Sequence, residues 1–188
     1  MLFITGLERI TKNMLKTTDE TDIHYMNYAF SYAQSHPDEH RKKAIGAIIV
    51  KNGEIIGKGY RETRTIGEKI LTIHAEHMAI NDAGDNAENA TLYTTLEPCT
   101  KRFKADYCIT PKPCCELITD SKIKRVVIAN KDENFGGGGI DYLLEKGVDV
   151  AICDGFERFK NLVQNHYFET EEKRKRYIKE NPCTSDPQ

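Results

Sequence analysis

No uninterrupted apolar run in this chain approaches the ~18 residues that span a membrane, so a transmembrane helix is not expected. A secretory signal is missing as well, because the opening apolar run, Met1 to Ile4, meets Glu8, Arg9 and Lys12 before it can build an h-region. Both absences predict a cytoplasmic protein. Neither sign of charge is in excess: 27 Lys and Arg face 29 Asp and Glu, a net charge of −2. With a pI near 6.3 the chain lacks the basic footprint of a nucleic-acid binder. The basic run Lys173 to Arg176 sits beside Glu171 and Glu172, as a solvated helix face would. Internal repeats are absent. Gly136 to Gly139 suggest a phosphate loop, but the Lys-Ser/Thr that ends such a loop is missing, so a flexible turn entering a helix is expected.

What is present suits one catalytic domain. A chain of 188 residues, 39% hydrophobic and 30% charged, can bury a single substantial core without disulfide or oligomer support. Six cysteines without an export signal read as metal ligands plus buried thiols, not as a disulfide framework.

Near-helical spacing of Ile23, Met26, Tyr28, Ala29, Phe30 and Ala33 predicts a first helix over Asp22 to Ser35, capped by Thr21 or Asp22. Ala44 to Val50 and Glu54 to Tyr60 flank Asn52-Gly53, the pair that favours a tight hairpin turn. A polar linker is expected over Arg61 to Glu68, a helix over His74 to Asp82 and a strand over Thr91 to Leu96. Thr100 to Pro113 reads as a loop, Cys114 to Asp120 as a short helix and Ile123 to Ala129 as a buried strand. Helix Ile140 to Lys146 and strand Val148 to Cys153 continue the alternation, which implies helices on both faces of a mixed sheet. Phe156, Phe159, Val163 and His166 mark a closing helix that runs on toward Lys179, and a frayed tail is expected from Asn181.

The chemistry concentrates in His74-Ala75-Glu76, in Pro98-Cys99 and in a later cysteine. An H-x-E followed by P-C-x-x-C is the ligand signature of zinc nucleobase deaminases. One imidazole and two thiolates leave a fourth tetrahedral position open for water, the layout of a catalytic zinc site. Two thiolates cancel the metal's charge formally, so a protein base is needed, and Glu76 is the candidate. Residues two apart on a helix share no face, so His74 and Glu76 meet at one site only if that site lies at the helix end. His77 is a competing ligand and Glu97 a competing carboxylate, the latter read as a partner of loop N–H groups. The two-residue spacer after Cys99 is absent, which leaves the third ligand open among Cys108, Cys114 and Cys115. Cys114 is preferred because it follows Pro113 at a helix start, while Cys115 should point about 100° away.

At these residues the chain resembles the cytidine deaminase superfamily, and is most similar to the pyrimidine deaminases of riboflavin biosynthesis and their stand-alone relatives. The resemblance runs from about Ala44 to Phe168, through Gly46 to Val50, His74-Ala75-Glu76, Thr95 to Thr100, Pro113-Cys114, Arg125 to Ile128 and Gly147 to Val150. It implies an α/β fold of three layers, α/β/α, with a central five-stranded mixed sheet, Zn2+ on His74, Cys99 and Cys114, and Glu76 as proton shuttle. It also implies a homodimer or larger assembly. Residues 22–168 would form the deaminase domain, between an N-terminal extension, 1–21, and a polar helical extension and tail, 169–188.

The expected substrate is a small aminopyrimidine nucleotide, with Arg61, Lys101 and Arg102 as candidate phosphate-binding cations. A cytosine nucleotide is the nearest alternative. An enzyme editing nucleic acid would need a basic groove, and a zinc-stabilised binding module would have no use for Glu76.

Overall fold

The computed structural model describes residues 15–36, 44–67, 69–103, 107–108, 112–133, 137–163 and 183–184. Helix α1 (Glu20–Gln34) starts where the Asp19 carboxylate accepts from the N–H groups of Thr21 and Asp22, at 2.8 and 3.4 Å. Glu20 and Asp22 add negative charge to its first turn, where the helix dipole favours it. Its buried stripe of Met26, Ala29, Phe30 and Ala33 lies against the sheet.

Strands β2 (Gly46–Lys51) and β3 (Glu54–Tyr60) form the expected hairpin. Asn52 and Gly53 both take positive φ, 53° and 82°, as a two-residue turn of this hand requires. Helix α2 (Ala75–Ala83), strand β6 (Thr91–Thr94), helix α3 (Cys114–Asp120), strand β9 (Arg125–Ile128), helix α4 (Gly139–Glu145) and strand β10 (Asp149–Cys153) follow the predicted alternation. β6, β9 and β10 run parallel to one another, and β2 is antiparallel to β6.

Adjacent residues of β2 show that helices cover both faces of the sheet. A Cβ on Gly46 would meet the α1 carbonyl of Ala29. Ala47, pointing the other way, pairs with Gly59, whose added Cβ would meet α2 at Ala75 O. α1 and α2 therefore lie on opposite faces, and Ile48, Ile49, Leu92, Val126, Val127 and Ile128 fill the layers between, none of them exposed.

The fold departs from expectation in five places. Helix α1 is capped by Asp19, where Thr21 or Asp22 was expected, because the helix begins two residues earlier, at Glu20. The central sheet has six strands where five were expected, because β1 (Leu15–Thr17), inside the stretch expected as an N-terminal extension, pairs parallel with β10. The polar linker expected over Arg61 to Glu68 contains β4 (Glu62–Ile66), which pairs antiparallel around Gly67 with β5 (Lys69–Ile73) just beyond it. The loop between the cysteines carries β7 (Arg102–Phe103) and β8 (Tyr107–Cys108), the latter parallel to β5. The tail contributes β11 (Cys183–Thr184), antiparallel to β7. The closing helix is described as a 3-10 turn, Glu157–Phe159, and α5 (Lys160–Val163); its expected continuation, with His166, and the run Lys173 to Arg176 lie outside the described residues. Among the described residues no helix is long and apolar enough to cross a membrane.

Candidate active site

His74 stands at the N-cap of α2 with extended backbone (φ −80°, ψ 148°), and its side chain makes no capping bond to the helix. Its imidazole is aimed at two thiols instead. His74 Nδ1 lies 3.7 Å from Cys99 Sγ and 3.4 Å from Cys114 Sγ. Two bonds of zinc–nitrogen and zinc–sulfur length meeting at the tetrahedral angle separate N and S by about 3.6 Å, so the observed pair of distances fits one shared ion. The ligating atoms of His74, Cys99 and Cys114 all lie within 4.8 Å of one another. No further described residue joins that cluster.

Glu76, in the first turn of α2, is buried, and its Oε2 lies 3.7 Å from Cys114 Sγ. The helix end thus brings His74 and Glu76 to one point despite their two-residue spacing, as the sequence geometry required. Thr94, at the end of β6, bonds Leu96 O at 2.9 Å and approaches Glu76 Oε1 at 3.5 Å. This neighbour was not foreseen. The signal for it was slight: Thr94 pairs with Ala47 and so shares the α2 face of the sheet.

Cys114 opens α3 directly after Pro113. Its N–H donates to Cys99 Sγ at 3.4 Å, and the next N–H, of Cys115, donates to Cys99 O at 3.1 Å. The Cys115 thiol turns away from the cluster toward Pro98 O, at 3.3 Å, and burial pushes its pKa well above the ordinary thiol value. The side chain of Cys108 lies outside the described residues. His77 is engaged elsewhere, with its Nε2 3.0 Å from Asn81 Nδ2. Glu97 faces away from the cluster: its two oxygens accept the N–H groups of Asp132, Gly138 and Ile140 at 3.0, 3.1 and 3.1 Å.

Residues 19–130 match the family model described as the cytidine and deoxycytidylate deaminase zinc-binding region. The chain belongs to this deaminase family. It is 42% identical over 140 residues to the riboflavin biosynthesis protein RibD of Aquifex aeolicus, covering 72% of this chain and 36% of that protein. It is also 42% identical over 110 residues to the diaminohydroxyphosphoribosylamino-pyrimidine deaminase of Buchnera aphidicola, covering 57% of this chain and 67% of that one. Among solved structures, RibD of Acinetobacter baumannii superposes with a TM-score of 0.60 at 31% identity, over 76% of this chain and 38% of that one. The chain thus spans little more than a third of the RibD proteins it matches.

The family's zinc-binding region contains the cluster, and His74, Cys99 and Cys114 fit the zinc that the deaminase family holds there. The candidate cations are less gathered. Arg61 is buried just beyond β3, its N–H donating to Ile45 O at 2.8 Å. Lys101 is exposed, two residues after Cys99, and Arg102 lies on the backbone of β7 with its side chain outside the described residues.

Proposed function

We propose that residues 22–168 form a zinc-dependent hydrolytic deaminase domain that converts an exocyclic amine of a small aminopyrimidine nucleotide to a carbonyl, as in riboflavin biosynthesis. The observation that carries the proposal is the meeting of one imidazole, two thiols and a buried carboxylate at the first turn of α2. When bound, zinc supplies a Lewis acid that makes water a better nucleophile near neutral pH. Cys99 and Cys114, as thiolates, offset the ion's charge and leave proton removal to the protein. Glu76 takes a proton from the attacking water at a carboxylate oxygen. As the C–O bond forms and the C–N bond breaks, one proton of that water passes through Glu76 to the departing amine and the other ends on the ring nitrogen beside the reacting carbon, so ammonia leaves and a carbonyl remains.

The substrate class is supported by the relatives named as diaminohydroxyphosphoribosylamino-pyrimidine deaminases. Arg61, Lys101 and Arg102 provide cations suited to a phosphoribosyl group. Ammonia release measured over a panel of aminopyrimidine ribonucleotides, cytosine nucleotides and pterins tests the reading. Turnover of the first group is expected, and turnover of cytosine nucleotides alone would move the assignment to that alternative. Arg102→Ala is expected to raise KM for the phosphorylated substrate far more than for its dephosphorylated form, leaving kcat little changed. We also propose a cytoplasmic homodimer, tested by light scattering of the purified chain.

A further inference from the structure

Glu97 to Cys99 belong to no helix or strand, so side-chain and loop bonds must hold the Cys99 ligand in place. Pro98 has no N–H to contribute. On one side the segment meets α3: Cys114 N donates to Cys99 Sγ, Cys115 N to Cys99 O, and the Cys115 thiol to Pro98 O. On the other it meets the start of α4. There Gly139 packs so closely that a Cβ would sit 2.1 Å from Pro98 O and 3.2 Å from Glu97 Cγ. The glycine segment is drawn into that position by the Glu97 carboxylate, which gathers the N–H groups of Asp132, Gly138 and Ile140, while Glu97 N donates to Asn130 O at 2.9 Å.

We propose that Glu97 is a positioning residue for the metal centre: its carboxylate latches the glycine segment against Pro98 and so fixes the Cys99 thiolate in its ligating geometry. The inference rests on reading His74, Cys99 and Cys114 as zinc ligands. Partners that hold ligands in place typically change metal affinity by about 10- to 100-fold when removed. A merely structural tie would lower stability and leave the metal's surroundings as they were.

The test compares the whole chain with Glu97→Gln, Glu97→Asp and Cys99→Ala, using zinc affinity by chelator competition and the thiolate-to-cobalt charge-transfer band of the cobalt(II)-loaded proteins. Ile48→Val, a buried change on the α1 face of the sheet, serves as the destabilised control. Gln keeps the shape but turns an amide N–H₂ toward a backbone donor, and Asp keeps the charge but shortens the reach. Both are expected to weaken zinc binding by about 10- to 100-fold and to shift the cobalt band, while Ile48→Val changes neither. Wild-type affinity and an unshifted band in both Glu97 variants would overturn the latch alone. Wild type and Cys99→Ala binding metal identically would overturn the zinc reading and the latch with it.

Discussion

Glu76 and Glu97 are both buried close to the cysteine cluster, yet their oxygens face different partners. Glu97 spends both oxygens on backbone N–H groups, whereas Glu76 faces Cys114 and Thr94. Glu76→Gln is therefore expected to keep its zinc, by metal analysis, and to lose turnover by a factor of ~10² to 10⁴. A third buried carboxylate lies on the opposite face of the sheet. Asp22, its side chain 3% exposed, accepts a bidentate pair of bonds from Arg125 at 2.7 and 2.8 Å, and further bonds from Thr17 and Tyr93 at 2.6 and 3.0 Å. Burial pushes the Asp22 pKa up, but the bonds from Arg125 and Thr17 outweigh it and hold the carboxyl below its ordinary 3.8. A carboxylate with a depressed pKa stabilises the fold above its unfolded value, and that contribution is lost as pH falls through the folded one. Arg125→Met should cost about 3–5 kcal/mol near neutral pH. Urea titrations should show the difference from wild type shrinking as pH drops below 3.8.

At the scale of elements, the seam between β3 and α2 places the helix end that carries His74 and Glu76. A Cβ on Gly59 would stand 2.0 Å from Ala75 O, and one on Gly57 2.3 Å from Ala79 O, both backbone atoms that cannot swing aside. Gly59→Ala should therefore push the start of α2 off the sheet. An unfolding titration is expected to show a loss of about 1–3 kcal/mol, with zinc affinity falling in parallel. The hairpin beneath this seam was legible because Asn52-Gly53 lies between two apolar runs, and the buried β9 because Val126, Val127 and Ile128 are continuous and β-branched. Strand β4 was not: Arg61, Glu62, Arg64 and Glu68 gave its stretch the look of a linker, although Thr63, Thr65 and Ile66 favour a strand. β1 was missed because three residues are too few for a period, and only its pairing with β10 makes them a strand.

Over the whole molecule, the metal centre draws His74 from before α2, Cys99 from beyond β6 and Cys114 from α3. An ion there binds the folded chain alone, so chelation should lower stability by about 4 kcal/mol when free zinc had stood near a thousand times its Kd. Differential scanning calorimetry should register this as a fall in Tm of roughly 10 °C, reversed by adding zinc. That His74, Glu76 and Cys99 would lie together was legible in the sequence, because they match the H-x-E and P-C parts of a known signature. Cys114 could only be preferred over Cys108 and Cys115, since Pro113 marks a helix start without showing which thiol returns to Cys99. The bonds from Cys114 N and Cys115 N to Cys99 hold the ends of that loop to each other directly, whatever lies between them. Because closure of a flexible loop costs only about 0.6 kcal/mol per doubling of its length, the sequence distance between the two cysteines is weakly constrained, apart from the pairing of β7 with β11 and of β8 with β5. Insertions and deletions between Cys99 and Cys114 that keep those pairings should therefore leave the two ligands where they stand.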